Sequence, residues 1–126
     1  MKHIPKALVR DGDRILIIKR VNWSRNFPGH WDLPGGKPKK DETPEQTLIR
    51  EAKEETNLDV VPKSRLGIYF GGSKDRFEFT VYATEWSGEI KLSSDHSAFR
   101  WASEAEIRAL KTMPFMVPLL DDLARE

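Results

Sequence analysis

One segment of the chain encodes a helix whose two ends are both marked in the sequence. Thr43 is a good N-cap, and Pro44 fits the first helical position because no backbone N–H donor is needed there. Gln46 follows Thr43 by three residues, which is the spacing of a capping box. The helix should run to about Thr56, with Asn57 as its left-handed C-cap. Any fold for this chain must therefore accommodate a helix at this place.

Short apolar runs on either side of this helix predict strands. Residues 15–18 are all apolar, which indicates a strand covered on both faces, and residues 77–84 alternate between apolar and polar, which indicates a half-covered strand. The predicted strands are 7–9, 14–19, 31–33, 66–70, 76–84 and 98–101, and further helices are predicted from the capping box Ser103/Glu106 through residue 110 and over 118–125. This order predicts an α/β fold of the α+β type, with a mixed sheet flanked by helices in a single domain over residues 1–126.

The composition and charge of the chain argue against several classes of function. The chain has 126 residues, 38% of them hydrophobic, and no Cys, so a disulfide framework or a thiolate metal site is excluded. Its 21 basic and 20 acidic residues leave a net charge of +1, which argues against binding of extended nucleic acid but permits a small phosphorylated ligand. No stretch approaches the roughly 18 apolar residues of a membrane span. Residues 1–14 carry charges throughout and contain no apolar signal core, so we expect a cytoplasmic protein that does not bind membranes.

Three glutamates share one flank of the predicted helix. Successive helical residues turn by about 100°, so Glu51, Glu54 and Glu55 fall within one arc of about 100°. The adjoining arc carries residues expected to face the core: Leu48, Ile49 and Ala52. Like charges at i, i+4 weaken a helix, and a hard divalent ion such as Mg²⁺ would offset the repulsion of the clustered carboxylates. The alternative is an ordinary solvated acidic face.

The helix and the loop before it match a known pattern. The matching positions are Gly36, Glu42, Arg50, Glu51, Glu54 and Glu55. Over residues 36–58 the chain resembles the Nudix box, Gly-x5-Glu-x7-Arg-Glu-U-x-Glu-Glu-x-Gly-U, where U is a bulky aliphatic residue. Two positions depart from it: Ala52 is smaller than the usual aliphatic residue, and Asn57 replaces Gly, which a left-handed C-cap tolerates. The resemblance implies a Nudix-like α/β/α sandwich and a MutT-like nucleotide pyrophosphohydrolase.

The resemblance also implies metal ligands. Glu51, Glu54 and Glu55 match the family's metal-binding glutamates. The backbone carbonyl of Gly35 is expected to add a ligand, since a glycine pair lets the chain pass close to an ion. Asp95, six residues before a late Trp, matches a further acidic ligand of MutT-like members, and its alternative is a loop turn residue.

Catalytic roles follow from the same resemblance. Glu51 is our choice for the general base, and we place Arg50 and Glu54 with it in the catalytic set. Arg50 is expected to orient Glu42 or Glu51 rather than to touch substrate, although an ordinary surface arginine is the alternative. Glu42 is expected to support the loop–helix geometry or a second ion. His96 is more often a structural or solvent-facing histidine than a ligand.

Residues outside the box are expected to contact the substrate. Arg20 matches a substrate-contacting arginine of MutT-like enzymes, with an exposed strand end as the alternative. Asp32 and Leu33 occupy the stretch that lies beside the base in such enzymes. The loop 71–75 is either a mobile lid or, as we favour, a plain hairpin turn.

Three aromatic residues near the predicted site also need an explanation. Trp23, Phe27 and Trp31 could stack on a base, but aromatic residues more often close a core.

The resemblance predicts a hydrolase of small-molecule nucleotides. The expected reaction is Mg²⁺-dependent hydrolysis of a nucleoside triphosphate to a nucleoside monophosphate and pyrophosphate, with Mn²⁺ as a substitute ion. One alternative is hydrolysis of a nucleoside diphosphate linked to another group, such as ADP-ribose. Another is a non-catalytic nucleotide-binding module of the same fold. We expect a monomer or a homodimer.

Overall fold

The computed structural model describes the backbone of all 126 residues and every side chain except that of Asp75. The strands are β1 (Lys2–Leu8), β2 (Arg10–Asp11), β3 (Arg14–Arg20), β4 (Trp31–Asp32), β5 (Asp59–Gly71), β6 (Phe77–Ser87) and β7 (His96–Ala102). The α-helices are α1 (Pro44–Thr56), α2 (Glu104–Arg108) and α3 (Met116–Ala124), and a short 3-10 turn spans Ser73–Asp75. Within this described chain, none of the helices has the length and apolar character that crossing a membrane requires.

Both ends of α1 form as the sequence predicted. The Thr43 hydroxyl accepts a hydrogen bond from the Gln46 N–H at 3.1 Å, and the Gln46 side chain accepts one from the Thr43 N–H at 3.0 Å. Asn57 has a φ of 66°, and its N–H donates to the Lys53 carbonyl. Local sequence therefore fixes the limits of α1 and with them the order of its carboxylates along the helix.

Strand β3 lies between two buried clusters. Ile15 and Ile17 belong to one cluster, and Leu16 and Ile18 belong to the other. The first cluster includes the buried residues Ile107, Met116, Leu119 and Leu120 of α2 and α3, and the second includes Leu48 and Ala52 of α1. The all-apolar run is therefore covered on both faces, and the predicted layers of helix, sheet and helix are confirmed.

The strands form two sheets. In the first, β6 lies parallel to β1 and antiparallel to β5, so this sheet is mixed, as predicted. In the second, β3 pairs antiparallel with β2, β4 and β7. The Ala7 N–H donates to the Pro34 carbonyl at 2.7 Å, and Lys6 forms a bridge with Gly35. These contacts hold the loop before α1 against β1 and so bring the two sheets and α1 together.

Several predicted boundaries were wrong, by as many as seven residues at the start of β5. The strands predicted from 7, 66 and 98 begin at Lys2, Asp59 and His96, and the helices predicted over 103–110 and 118–125 are Glu104–Arg108 and Met116–Ala124. Pro62 lies inside β5, where no strand was predicted. It is tolerated because β5 is the edge strand of its sheet and its pairing shifts between Pro62 and Arg65.

The prediction that Ile49 faces the core was also wrong, since this side chain is exposed. The remaining buried positions of α1 are the threonines Thr47 and Thr56. The Thr56 hydroxyl donates to the Ala52 carbonyl at 2.6 Å, and the Thr47 hydroxyl lies 2.7 Å from a Glu42 carboxylate oxygen and 3.0 Å from the Thr43 carbonyl. Because both hydroxyls have acceptors, these threonines can occupy the face that packs on the sheet.

Candidate active site

A cavity of about 440 Å³ opens where α1, the end of β3 and the β1–β6 sheet meet. Its charged lining residues are Lys6, Arg20, Arg25, Lys37, Glu51, Glu55 and Asp95. Its apolar lining residues include Ile4, Phe77, Phe79 and Met113, and the loop after β3 adds Trp23 and Phe27. The volume lies within the range of small-molecule sites, and the cavity combines an acidic edge with an apolar wall.

Arg50 holds the acidic side chains of the Nudix box together. Its Nε and Nη2 donate to Glu42 at 2.7 and 2.9 Å, and its Nη1 donates to Glu51 at 2.7 Å. The same Nη1 lies 3.3 Å from a Glu54 oxygen. The Arg50 hydrogen bonds, with that of the Lys39 N–H, lower the pKa of Glu42 to about 2. Arg50 thus contacts both carboxylates that the sequence suggested for it and does not line the cavity.

Glu51 reaches the cavity because Gly36 leaves room for it. The Glu51 side chain is 19% exposed and lines the cavity beside Gly35 and Gly36. A Cβ at Gly36 would lie 2.6 Å from the Glu51 carboxyl carbon. The second glycine of the pair therefore makes space for the carboxylate that we chose as general base.

Glu55 occupies the inner part of the acidic edge. Its Oε1 accepts a hydrogen bond from the Gly35 N–H at 2.8 Å, and its side chain is 13% exposed. Burial raises the pKa of Glu55 to about 8, against the opposing effects of Lys6 and the Gly35 N–H. The raised pKa means that the surroundings of Glu55 do not stabilise its negative charge fully. A bound cation would supply the missing positive charge.

Glu54 and Asp95 are more exposed to solvent than Glu51 and Glu55. The Glu54 side chain is 55% exposed and is not among the residues that line the cavity. Asp95 is exposed and lines the cavity beside His96. His96 is buried, its Nε2 lies 3.9 Å from a Glu55 oxygen, and burial lowers its pKa to about 4. Among the described atoms, His96 Nδ1 has no hydrogen-bond partner.

Of the three predicted substrate-contacting residues, the structure places one at the cavity surface. Arg20 lines the cavity, and its guanidinium donates to the Asn26 carbonyl at 2.9 Å, the Ser24 hydroxyl at 2.8 Å and Asp32 at 3.4 Å. The Asp32 side chain is 1% exposed. Leu33 is fully buried in the core cluster. Asp32 and Leu33 thus lie beneath the cavity lining rather than in it.

Lys6 is a buried residue of the cavity lining that was not predicted from the sequence. Its Nζ donates to Asp32 Oδ2 at 3.0 Å. The available signal was a single charged residue inside the apolar stretch 4–9. A lone lysine at such a position indicates either an edge of the sheet or a buried partner, and only the fold identifies Asp32 as that partner.

The donor set suits a hard divalent cation. Glu51, Glu54, Glu55 and Asp95 offer carboxylate oxygens, the ligands that Mg²⁺ prefers. In the present rotamers, no three acidic or histidine side chains of the described residues are gathered closely enough to hold an ion. The reason is that Arg50 draws Glu51 and Glu54 to its own side while the Gly35 N–H retains Glu55. The residues fit the ion chemically, and gathering them requires rotation of the glutamate side chains.

Replacement of Gly36 by Ala should displace the Glu51 carboxylate without straining the main chain. Because the added Cβ would meet the far end of a flexible side chain, we expect kcat to fall by up to about 10²-fold and the melting temperature to stay near the wild-type value. Steady-state kinetics with thermal melting measures both. An unchanged kcat in a folded Gly36→Ala variant would show that the position of this carboxylate does not limit turnover.

Comparisons with known proteins agree with the geometry. A NUDIX domain model matches residues 6–123. An ADP-ribose pyrophosphatase of Methanocaldococcus jannaschii is 34% identical over 112 residues, covering 86% of this chain and 62% of that protein. An 8-oxo-dGTP diphosphatase of Proteus vulgaris is 32% identical over 90 residues, covering 70% of this chain and 80% of that protein.

A solved structure extends the agreement to the whole fold. The crystal structure of a MutT protein from Methanosarcina mazei Go1 superimposes with a TM-score of 0.88 at 28% identity, covering 98% of this chain and 93% of that protein. The family match spans nearly all of the chain, and it includes the loop and helix that carry Gly36, Arg50 and the glutamates. The chain therefore belongs to the Nudix family of pyrophosphohydrolases, which generally use divalent metal ions.

Proposed function

We propose that this enzyme hydrolyses a phosphoanhydride bond of a nucleoside triphosphate in a Mg²⁺-dependent reaction, releasing a nucleoside monophosphate and pyrophosphate. The observation that carries the proposal is that Glu51 and Glu55 open into the same cavity as Arg20 and an apolar wall. Hydrolysis of a phosphoanhydride needs charge neutralisation and a positioned water more than covalent chemistry. A cavity with carboxylates at one edge and space for a nucleoside beside them suits that requirement.

We assign the metal ligands to Glu51, Glu54, Glu55 and the Gly35 carbonyl, with Asp95 as a further acidic ligand, and we expect Mn²⁺ to replace Mg²⁺. When bound, the ion would neutralise phosphate oxygens and acidify the attacking water. The elevated pKa of Glu55 supports the assignment, because a cation is the missing counter-charge at this position.

Glu51 accepts the proton of the attacking water in this proposal. Its side chain faces the cavity, and the space left by Gly36 lets the carboxylate take this position. Arg50 is a positioning residue: it holds Glu51 at 2.7 Å and is itself held by Glu42 through two hydrogen bonds. Because Glu42 anchors the guanidinium, Arg50 stays in place when a glutamate turns toward an ion.

Arg20 contributes to substrate binding in two ways. It holds the loop after β3 in place by donating to Ser24 and to the Asn26 carbonyl. It also lines the cavity, and its five N–H donors exceed the three hydrogen bonds that it makes within the protein. Asp32 accepts a hydrogen bond from Arg20, and Leu33 packs below in the core. We therefore assign Asp32 and Leu33 a supporting role beneath the site instead of direct contact with substrate.

Trp23 is well placed to stack on the nucleobase. Its side chain is 81% exposed at the cavity lining, which is unusual for so large an apolar group. We expect Trp23→Ala to raise KM by about 10-fold with little change in kcat, because stacking contributes about 1–3 kcal/mol per base. Trp23→Phe should retain most of the affinity. Trp86→Phe is the control, since Trp86 packs against Trp101 away from the cavity. Equal KM values for wild type and Trp23→Ala would remove Trp23 from the binding site.

A second candidate substrate class is a nucleoside diphosphate linked to another group. A further cavity of about 430 Å³ shares Arg25, Asn26, Phe27 and Phe77 with the first and adds Lys2 and Arg76. Such a continuation has room for a second moiety beyond the diphosphate. The ADP-ribose pyrophosphatase among the relatives favours the same class.

The test is a screen of canonical and oxidised nucleoside triphosphates beside ADP-ribose and other sugar-linked diphosphates, with Mg²⁺ or Mn²⁺. For triphosphates, phosphate released with and without added inorganic pyrophosphatase identifies the bond that is cut. For linked diphosphates, alkaline phosphatase releases phosphate from the two phosphomonoester products, so their turnover is measured as well. We expect pyrophosphate from triphosphates and higher kcat/KM for them than for linked diphosphates. Turnover of linked diphosphates alone would replace the leading proposal by the second. Nucleotide binding without hydrolysis of any substrate would exclude both.

A further inference from the structure

Lys6 lies at a position of β1 whose neighbours on the same face are core residues. Side chains at alternate positions of a strand share a face, so Lys6 lies between Ile4 and Leu8 on the side of β1 that packs in the main buried cluster. Only 4% of its side chain is exposed, yet it lines the cavity. A buried lysine is costly unless its ammonium group has partners, so its contacts indicate what it does.

The ammonium group of Lys6 makes fewer hydrogen bonds within the protein than it has N–H donors. Its Nζ donates to Asp32 Oδ2 at 3.0 Å and to the Leu33 carbonyl at 3.4 Å. An ammonium group has three N–H donors, so one remains without an acceptor among the described atoms. Since the other two point to residues beneath the lining, the third is available to a molecule in the cavity.

Asp32 does not depend on Lys6 alone. Its Oδ2 also accepts from Arg20 at 3.4 Å, and its Oδ1 accepts from the Leu33 N–H at 2.7 Å. Two cations therefore share one carboxylate at the floor of the cavity. Removal of the Lys6 ammonium group leaves Asp32 paired, so a variant at position 6 can fold.

The cavity that Lys6 lines has an apolar wall suited to a flat ring. Ile4, Phe77, Phe79 and Met113 line it, and each is at most 9% exposed. The Phe77 and Phe79 rings are nearly parallel, with centroids 5.8 Å apart. An apolar wall of this kind suits the face of a nucleobase, and because Lys6 lines the same cavity, one edge of a base bound there is within the reach of a cationic donor.

We propose that Lys6 is a specificity-determining residue that donates a hydrogen bond to an oxygen on the nucleobase, so that the enzyme favours bases carrying a carbonyl group at that edge, such as guanine, over bases carrying an amino group there. This inference rests on the proposed function, since it assumes that the base lies in the cavity. An ammonium group donates and cannot accept, so it pairs with a carbonyl oxygen and opposes an amino group at the same position. The spare donor is the selective element, because the apolar wall accepts either kind of base.

The experiment compares two ligands that differ at one edge of the purine. GMP carries an oxygen at position 6, and 2,6-diaminopurine riboside monophosphate carries an amino group there. Isothermal titration calorimetry in EDTA measures the affinity of both monophosphates, and kcat/KM is measured for the two corresponding triphosphates with Mg²⁺. We expect wild-type enzyme to favour the guanine ligand by about 10- to 100-fold, the range of a hydrogen bond with a charged donor. In Lys6→Met we expect the two ligands to become equal.

Matched variants separate recognition from folding. Lys6→Gln keeps a donor at the end of the side chain and should retain part of the preference. Lys63→Met removes an exposed lysine of β5 and should change nothing. Melting temperatures report on folding, and if Lys6→Met does not fold, the wild-type and Lys6→Gln ratios decide.

Two outcomes overturn the inference: equal affinity of the wild-type enzyme for both ligands, or an equal loss of both in Lys6→Met, which would assign Lys6 to phosphate binding. If neither triphosphate is hydrolysed, the proposed function fails, while the monophosphate affinities still test Lys6.

Discussion

Glu51→Gln should lower kcat by about 10²- to 10⁴-fold, the usual contribution of a positioned general base. The amide is nearly the same size as the carboxyl, and its oxygen can still accept the hydrogen bond from Arg50. It cannot accept a proton from water. Because the side chain lies at the cavity rather than in the core, the variant should fold and melt near the wild-type temperature.

The matched control is Glu45→Gln, which removes a carboxylate from the first turn of the same helix at an exposed position. We expect this control to retain wild-type kcat and KM. Steady-state kinetics over a range of Mg²⁺ concentrations separates loss of the base from loss of the ion. If Glu51→Gln keeps near-native turnover at saturating Mg²⁺, another residue is the base, and Glu55 and Asp95 are the carboxylates to test next.

The affinity of the metal-free enzyme for Mg²⁺ should rise by about 10-fold per pH unit up to about pH 8. The cause is Glu55, whose pKa is raised to about 8 by burial, so an ion that binds this carboxylate must displace its proton. Between pH 6 and 8 the expected gain is about 50-fold, because half of the Glu55 carboxyl groups are still protonated at pH 8. Calorimetric titration of Mg²⁺ at several pH values, in buffers of different ionisation enthalpy, measures both the affinity and the proton released.

The same pKa shift predicts how stability depends on pH. With a pKa raised from 4.5 to about 8, the folded metal-free protein retains a proton that the unfolded chain has lost. Between about pH 4.5 and 6.5 the lowered pKa of His96 offsets this effect, because the unfolded chain holds a proton on that histidine that the folded protein has lost. The free energy of unfolding should therefore decrease as the pH rises from about 6.5 to about 8, and Mg²⁺ should oppose that decrease. Glu55→Gln should abolish both pH effects and weaken Mg²⁺ binding. A Mg²⁺ affinity that is independent of pH in the wild type would contradict this account of Glu55.

Prediction from sequence was most accurate where the signal is local. The capping box of α1 and its Asn57 C-cap formed as expected, because both depend on backbone geometry within a few residues. The alternation in β6 gave the correct buried face. Strand limits were less accurate: β5 begins at Asp59 because its pairing with β6 continues past the register shift at Pro62, and pairing depends on a partner distant in sequence.

For the candidate site, too, the local features were predicted from the sequence and the contacts between distant segments were not. The sequence alone determined the helix, the order of Arg50, Glu51, Glu54 and Glu55 along it, and the Nudix family to which that pattern belongs. Only the tertiary structure decided which of these carboxylates face the cavity, that Asp32 and Leu33 lie beneath it, and that Lys6 meets Asp32 across 26 positions of sequence. The reason is physical: caps and helical spacing depend on neighbours in the chain, whereas burial, pKa and ion pairing depend on which distant segments the fold packs together.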